Sequence, residues 1–148
     1  MIGSFLFNRF NKDYSITALD YSDRLIKDNF FPIDLTQEED VKTFADKSPK
    51  CDALIFLVGL AHKKGKGQEL AEFRRINKQT LINLLSALEV QEKLPSKIIF
   101  ASTISVYGEK INQNIYLEDS FKEPYSPYAV TKLEAEKYLL SNYSSQSW

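Results

Sequence analysis

The sequence predicts an α/β fold, in which helices cover a parallel β-sheet. Four short apolar segments recur along the chain, and a polar punctuating residue and a helix-like stretch follow each of them. The segments are almost continuously apolar, as strands buried on both faces must be. With 148 residues and 43% hydrophobic composition, the chain can form one sizeable core, so we expect a single domain over residues 1–148.

The predicted strands are short and rich in β-branched and aromatic residues. The second is the least typical, because Pro32 cannot donate a ladder hydrogen bond. In chain order the four strands cover residues 15–19 (SITAL), 30–33 (FFPI), 53–58 (ALIFLV) and 97–101 (KIIFA).

Helices are predicted between these strands from capping residues and from apolar spacing. Thr36 is the expected N-cap of a helix that reaches about Asp46, because Glu39 completes a capping box and Val41 faces inward. A second helix should span about residues 69–89. Its inward stripe, spaced by three and four residues, comprises Leu70, Phe73, Ile76, Thr80, Leu84 and Leu88.

The last predicted helix begins with a clear signal and follows a long loop. Ser126 is the expected N-cap, and Pro127 takes the first helical position, where its missing N–H costs little. Residues 106–125 show neither the strand nor the helix period. A loop of that length in a compact domain is usually functional.

Composition argues against several classes of partner. The net charge of −1 provides no field that would attract nucleic acid or an anionic membrane. Cys51 is the only cysteine, and no leader or long apolar run suggests export or membrane insertion, so we expect a cytoplasmic protein. We expect no metal site, because His62 is the only histidine.

Tyr128 and Lys132 are the two side chains that could together carry out proton transfer. They lie four residues apart on the last predicted helix, so both side chains can meet one small molecule. A neighbouring ammonium group and a helix N-terminus both lower the pKa of a tyrosine, which favours proton exchange at neutral pH. The spacing alone is weak evidence, since a surface tyrosine beside a solvated lysine gives the same pattern. The evidence for a site is strengthened by the hydroxyl side chains that follow the strand KIIFA, because α/β sheets bind ligands at the carboxyl ends of their strands.

Three motifs together resemble the active-site half of the extended short-chain dehydrogenase/reductases, the family of UDP-galactose 4-epimerase. They are STISVYG at residues 102–108, YLEDS with Glu118, and SPYAVTK at residues 126–132. The resemblance implies catalytic roles for Thr103, Tyr128 and Lys132. Thr103 would orient a sugar hydroxyl, Tyr128 would take its proton, and Lys132 would hold the nicotinamide ribose and depress the pKa of Tyr128.

The resemblance also implies NAD as cofactor and a set of residues that bind it. Gly3 resembles the third glycine of the dinucleotide turn, and Asp20 resembles the acidic residue that binds the adenosine ribose. A carboxylate at that place would repel the extra phosphate of NADP. The full set implied to bind the cofactor is Gly3, Asp20, Asp34, Leu35, Val58, Gly59, Asn77, Tyr128 and Lys132.

The family pattern is incomplete in this chain. The resemblance implies a partial Rossmann-like, doubly wound sheet that lacks the first strand, the first two glycines and the C-terminal substrate domain. We therefore expect the chain alone to be inactive. A basic loop at residues 62–67 could replace the lysine that the epimerases carry where Ala61 stands, although a solvated loop is the simpler interpretation.

The reaction implied is epimerisation of a nucleotide-sugar, or reduction of a ketone, in surface-polysaccharide sugar metabolism. Dehydratases of this kind carry an acid and a base where this chain has Ile104 and Ser105, neither of which transfers a proton at neutral pH. Two alternatives stay open. The chain could be a non-catalytic remnant, or one half of a split enzyme that needs a complementing chain; a homodimer is also possible.

Overall fold

The strands form two separate two-stranded parallel sheets, which confirms the predicted α/β class. The computed structural model describes residues 2–22, 29–61, 70–108 and 115–144. β1 (Ala18–Asp20) pairs with β2 (Phe30–Pro32), and β3 (Ala53–Phe56) pairs with β4 (Lys97–Phe100). Both pairs are parallel, as the alternation of strands and helices along the chain predicts.

Helices follow or precede the strands throughout the described chain. α1 and α2 belong to the first third, a helical region with an internal π-turn occupies the middle, and the longest helix closes the described part. Their bounds are α1 Ile2–Phe10, α2 Glu38–Lys47, α3 Leu70–Arg74, a π-helical turn Arg75–Gln79, α4 Thr80–Val90, a 3-10 turn Ile104–Tyr107 and α5 Pro127–Asn142.

The chain divides into two compact units, and a single domain over residues 1–148 stays a prediction. Residues 1–50 and 83–94 make up the first unit, and residues 51–82 and 95–148 make up the second. In the first unit the edge of the Phe31 ring packs on Phe44 with 5.5 Å between ring centroids. Its buried side chains include Ile33, Leu35, Val41, Ala45, Leu84, Leu85 and Leu88.

The core of the second unit lies between α5, the β3–β4 sheet and the helical turns at residues 70–82. In β3 and β4 the rings of Phe56 and Phe100, which are register partners, stack with 6.2 Å between centroids. The apolar residues on the buried face of α5 are alanines and leucines. The buried apolar side chains of this unit are Phe56, Phe73, Leu81, Ile98, Val106, Ala129, Leu133, Ala135, Leu139 and Tyr143.

The predicted N-cap at Thr36 is wrong. α2 begins one residue later than that cap would require, with Gln37 as N-cap and no side-chain capping bond. The Thr36 hydroxyl donates instead to Asp34 Oδ1 at 2.7 Å, and the Thr36 amide donates to the same oxygen at 2.9 Å. A local aspartate turn therefore competes with the helix cap for the Thr36 side chain, as short polar residues commonly do.

The helix expected over residues 69–89 contains a π-helical turn. Residues 75–79 insert a wider turn between α3 and α4. Apolar spacing detects the inward stripe, of which Phe73, Thr80, Leu84 and Leu88 are buried, but it does not reveal the extra residue. Such π-turns are rare and often occur at functional sites.

The N-terminus of α5 is confirmed as predicted. Ser126 Oγ accepts a hydrogen bond from the Ala129 amide at 3.2 Å, and Pro127 takes the first helical position. The preceding loop starts later than expected, because residues 104–107 form the 3-10 turn. Within the described ranges no helix is long and apolar enough to cross a membrane.

Ser126→Ala should lower the free energy of unfolding by about 1 kcal/mol, because the Ala129 amide loses its capping acceptor. Urea denaturation followed by circular dichroism measures the change. Gln37→Ala is the matched control, since Gln37 is an N-cap whose side chain makes no capping bond, and it should leave stability unchanged. Equal effects of the two substitutions would contradict this assignment of the cap.

Candidate functional site

The predicted site residues fall into one group in each unit. The second unit holds the three catalytic candidates, of which Tyr128 and Lys132 are also cofactor-binding candidates, and three further cofactor-binding candidates: Thr103, Tyr128, Lys132, Val58, Gly59 and Asn77. The first unit holds Gly3, Asp20, Asp34 and Leu35.

Lys132 is buried at the carboxyl ends of two neighbouring strands. Its Nζ donates to the carbonyl of Val58, just beyond β3, at 3.2 Å and to the carbonyl of Ala101, just beyond β4, at 2.9 Å. Only 2% of the residue is exposed. The ammonium also lies 4.7 Å from the centroid of the Phe100 ring and 6.0 Å from that of Tyr128. Ring faces and carbonyl dipoles both attract a cation, so these contacts partly compensate the ammonium for its lost hydration.

Burial lowers the pKa of the Lys132 ammonium from 10.5 to about 8. Removal from water penalises the charged form, and the carboxylates that could offset this effect do not contact the group within the described residues. At pH 7 the ammonium form still predominates. A lysine has three N–H donors; two of them bind carbonyls, and the third has no acceptor among the residues that the structure describes.

Gly59 lies against Lys132. A Cβ placed on Gly59 would lie 3.1 Å from Lys132 Nζ and 3.3 Å from Cε. Those distances are tighter than ordinary van der Waals contact, so a side chain at Gly59 would displace the ammonium or the turn that follows β3. The glycine therefore keeps the space beside the ammonium open.

Asn77 lies in the π-turn and holds the same post-β3 segment. Its Oδ1 accepts from the Leu60 amide at 2.6 Å, and its Nδ2 donates to the Leu60 carbonyl at 3.2 Å and to Thr131 Oγ1 at 3.0 Å. The residue is 0% exposed. Its side-chain amide is thus engaged by Leu60 and Thr131, and the cofactor-binding role implied for Asn77 stays a prediction.

Tyr128 and Thr103 occupy the positions that the motifs predict. Tyr128 is half-buried in the first turn of α5, one helical turn before Lys132. Thr103 follows β4 and precedes the 3-10 turn, where its Oγ1 accepts from the Ser105 amide at 3.3 Å and donates to Ser105 Oγ at 3.3 Å. Lys132 joins the two segments, because it contacts the Tyr128 ring and binds the carbonyl of Ala101, two residues before Thr103.

The candidates of the first unit lie at strand ends and in a helix. Asp20 ends β1, and its Oδ1 accepts from the Ser22 amide at 3.2 Å. Asp34 Oδ1 accepts from Thr36, and the buried Leu35 offers its carbonyl to Asn83 Nδ2 at 3.0 Å. Gly3 is exposed in α1. Their cofactor-binding roles stay predictions.

The loop before α5 is ordered around Gly108. Gly108 has a φ of 79°, and a Cβ there would clash with the Glu123 carbonyl oxygen, so both conformation and space favour glycine. The Tyr107 and Tyr116 rings stack with 5.3 Å between centroids. Glu118, part of the quoted motifs, accepts at its backbone carbonyl from Tyr107 and Lys122. Residues 109–114 of this loop lie outside the described residues.

Sequence reasoning missed three contacts of α5 that the structure adds. Thr131 binds Asn77, Glu136 accepts a hydrogen bond from the Ser102 hydroxyl, and Glu134 pairs with Arg74 at 2.6 Å. The Arg74 guanidinium lowers the pKa of Glu134 by hydrogen bonding. The sequence does show that Glu136 lies four residues after Lys132, on the same face of α5. It does not show the partners of these three residues, which lie on distant segments of the chain.

No cluster of three metal-binding side chains occurs among the residues that the structure describes. Ala61 is exposed and ends the second described range. The basic loop at residues 62–67, with His62, lies outside the described residues, so its possible phosphate contact stays a prediction.

Comparison with known proteins assigns the family. The model of the NAD-dependent epimerase/dehydratase family matches residues 1–147. The chain belongs to this family. The membership confirms the resemblance inferred from the motifs around Thr103 and Tyr128.

Individual relatives agree with that assignment and differ from this chain in length. The uncharacterized UDP-glucose epimerase YtcB of Bacillus subtilis (strain 168) is 42% identical over 71 residues, which are 48% of this chain and 21% of that protein. The UDP-Glc/GlcNAc 4-epimerase of Campylobacter jejuni is 25% identical with a TM-score of 0.80, over 99% of this chain and 48% of that one. The UDP-glucose 4-epimerase of Thermus thermophilus, solved with NAD, is 26% identical with a TM-score of 0.78, over 99% of this chain and 49% of that one. The chain therefore spans about half the length of these solved structures.

The free energy of unfolding should rise as pH is raised from about 8 to about 10. In that range the unfolded chain keeps the Lys132 proton and the folded chain has released it, so the cost of burying the ammonium disappears. We expect a gain of about 2 kcal/mol, since one pKa unit corresponds to about 1.4 kcal/mol. Urea denaturation across this pH range measures it.

Lys132→Met is the control, because it keeps a long side chain and removes the titrating group. Cys51, whose pKa is raised by burial, is present in both proteins, so its titration cancels in the difference. The difference between the two pH profiles therefore isolates Lys132. Parallel profiles would show that the ammonium is not buried as described.

Proposed function

We propose that this chain supplies the catalytic half of an NAD-dependent sugar-nucleotide epimerase. The observation that carries the proposal is the position of Lys132, whose Nζ lies between the carbonyl groups at the ends of β3 and β4 and against the ring of Tyr128. Ligands of open α/β sheets bind at the carboxyl ends of the strands. The family membership and the Thr103 segment point to the same chemistry.

The residues around Lys132 fit a nicotinamide cofactor. Gly59 leaves free the space that a Cβ would take beside the ammonium, and the third N–H of Lys132 has no acceptor within the described part of the chain. A ribose hydroxyl could accept that N–H. When bound, the nicotinamide would accept a hydride from the sugar and return it. Asp20, at the end of β1, favours NAD over NADP.

The protein side of the reaction is proton transfer and orientation. Thr103 would hold the sugar hydroxyl, and the Tyr128 oxygen would take its proton as the ring carbon becomes a ketone and give it back when the hydride returns. Lys132, charged at pH 7, would hold the ribose and provide positive potential beside Tyr128.

We propose epimerisation rather than dehydration because of the side chains at positions 104 and 105. Ile104 and Ser105 follow Thr103 in the 3-10 turn, and Ile104 is 67% exposed. Neither can act as acid or base at neutral pH. Two of the similar solved structures are 4-epimerases that act on UDP-sugars, so we propose a nucleotide-sugar substrate. Ketone reduction needs the same residues and is the second candidate. A cytoplasmic location and a homodimer or complementing chain remain predictions from the sequence.

Tyr128→Phe should lower turnover by about 100-fold or more, because only the proton-transferring oxygen is lost. The measurement uses a chimera in which this chain replaces the matching part of the Thermus thermophilus enzyme, with UDP-glucose as substrate. NAD affinity should change little, and Thr103→Ala should cost less than Tyr128→Phe.

Tyr138→Phe is the matched control on the same helix, since the Tyr138 hydroxyl shares its hydrogen bond with Tyr143, away from Lys132. It should keep wild-type turnover. If Tyr128→Phe were as active as Tyr138→Phe, the catalytic assignment would be wrong.

The same chimera should bind NAD about tenfold or more tightly than NADP, a difference of about 1.4 kcal/mol in binding free energy, because Asp20 repels the additional phosphate. Asp20→Asn should remove most of this preference. Asp13→Asn changes the net charge equally at an exposed position and should leave the preference intact. Calorimetric titration of the chimera and its variants with NAD and with NADP measures the two affinities. An Asp20→Asn protein that still binds NAD about tenfold more tightly than NADP would exclude this role of Asp20.

A further inference from the structure

Thr131 is a fully buried polar residue next to Lys132 that the mechanism does not use. It is 0% exposed, and its hydroxyl lies in the interior between α5 and the π-turn. A hydroxyl in such a place costs free energy unless its bonds are made, so those bonds show what it does.

The hydrogen bonds of Thr131 have a fixed direction. Its Oγ1 proton lies between the carbonyls of Pro127 and Tyr128, at 2.9 and 3.0 Å, in the preceding turn of the same helix. Because a hydroxyl has one proton, its lone pairs must accept from elsewhere. Asn77 Nδ2 donates to them at 3.0 Å. Thr131 therefore acts as an acceptor toward the π-turn.

Asn77 carries this contact on to the segment after β3. With Nδ2 bound to Thr131, the same amide bonds both the N–H and the carbonyl of Leu60. Leu60 is next to Gly59, and Gly59 follows Val58, whose carbonyl accepts from Lys132. The path of contacts begins at the buried Thr131 of α5 and returns to the side chain of Lys132.

We propose that Thr131 is a positioning residue: through Asn77 it fixes the post-β3 segment at the distance at which the Val58 carbonyl receives Lys132. The hydrogen bonds of Thr131 and Asn77 go to each other and to backbone groups rather than to the ammonium. Their effect is to set where the carbonyl lies and to keep water from the lysine. The proposal concerns the same site as the proposed function, and it rests on that function for the catalytic importance of the contact between Val58 and Lys132.

The test measures the titration of Lys132 directly in this chain. Competitive labelling with acetic anhydride at several pH values, followed by peptide mass spectrometry, gives the midpoint at which Lys132 becomes reactive. We expect about 8 in the wild type. Thr131→Val keeps the volume and removes the acceptor, so the post-β3 segment should loosen and water should replace the Val58 carbonyl at the ammonium. Because burial is what lowers the pKa of Lys132, the midpoint should then rise by about one pH unit or more.

Thr131→Ser restores the hydroxyl and should restore the wild-type midpoint. Thr80→Val is the matched control, because Thr80 is also buried and its hydroxyl bonds the Ile76 carbonyl of the preceding turn. It can lower stability but should not move the Lys132 midpoint. Thr131→Ala provides a second removal variant if Thr131→Val does not fold.

A Thr131→Val or Thr131→Ala protein that folds and keeps the wild-type midpoint would overturn the proposal, as would a Thr80→Val protein with the same shift. The readout needs neither NAD nor turnover. Failure of the chimera to bind NAD, with the Thr131-dependent midpoint intact, would overturn the proposed function and leave the positioning role standing. The opposite result would remove only the positioning role.

Discussion

The site depends on a single unfavourable feature, a lysine ammonium group buried without a carboxylate partner among the described residues. The group is held by two backbone carbonyls and two ring faces. Carbonyls have fixed positions in the backbone, so the ammonium is bound well only where the ends of β3 and β4 are held in place. The surrounding structure is arranged to hold them, as an interior polar group requires.

Several features of the second unit become intelligible from this constraint. Gly59 has no side chain because a Cβ would lie 3.1 Å from Lys132 Nζ. The π-turn contains Asn77, whose amide reaches Leu60 and Thr131 at once. On the other strand, Ser102 bonds Glu136, one helical turn after Lys132, so α5 contacts the end of β4 at two successive turns.

The sequence predicts the parts of this arrangement that follow from local chemistry. The positions of the last three strands, the Ser126 cap and the shared helix face of Tyr128 and Lys132 depend on residues close together in the chain, where propensity and spacing act. The first strand is observed at Ala18–Asp20, shifted toward the C-terminus from the predicted residues 15–19. The Thr36 cap fails because Asp34, two residues away, competes for the same hydroxyl. The bond from Asn77 to Thr131 cannot be predicted this way, since the two residues are 54 apart in the chain and meet only through tertiary packing. The π-turn is local, but apolar spacing does not distinguish it from an α-helix.

The buried ammonium group also links stability to function. In the chain alone its protonated form is disfavoured, which is why the pKa of Lys132 falls to about 8. A core optimised only for stability would replace it with an apolar side chain, because isolated buried charges are destabilising. Its retention beside an open glycine and a tyrosine is therefore hard to explain by folding. A ligand that accepts the third N–H of Lys132 would favour the charged form. Binding would therefore offset the free-energy cost of burying the ammonium, and so stabilise the folded chain. Strongly perturbed groups concentrate at functional sites for this reason.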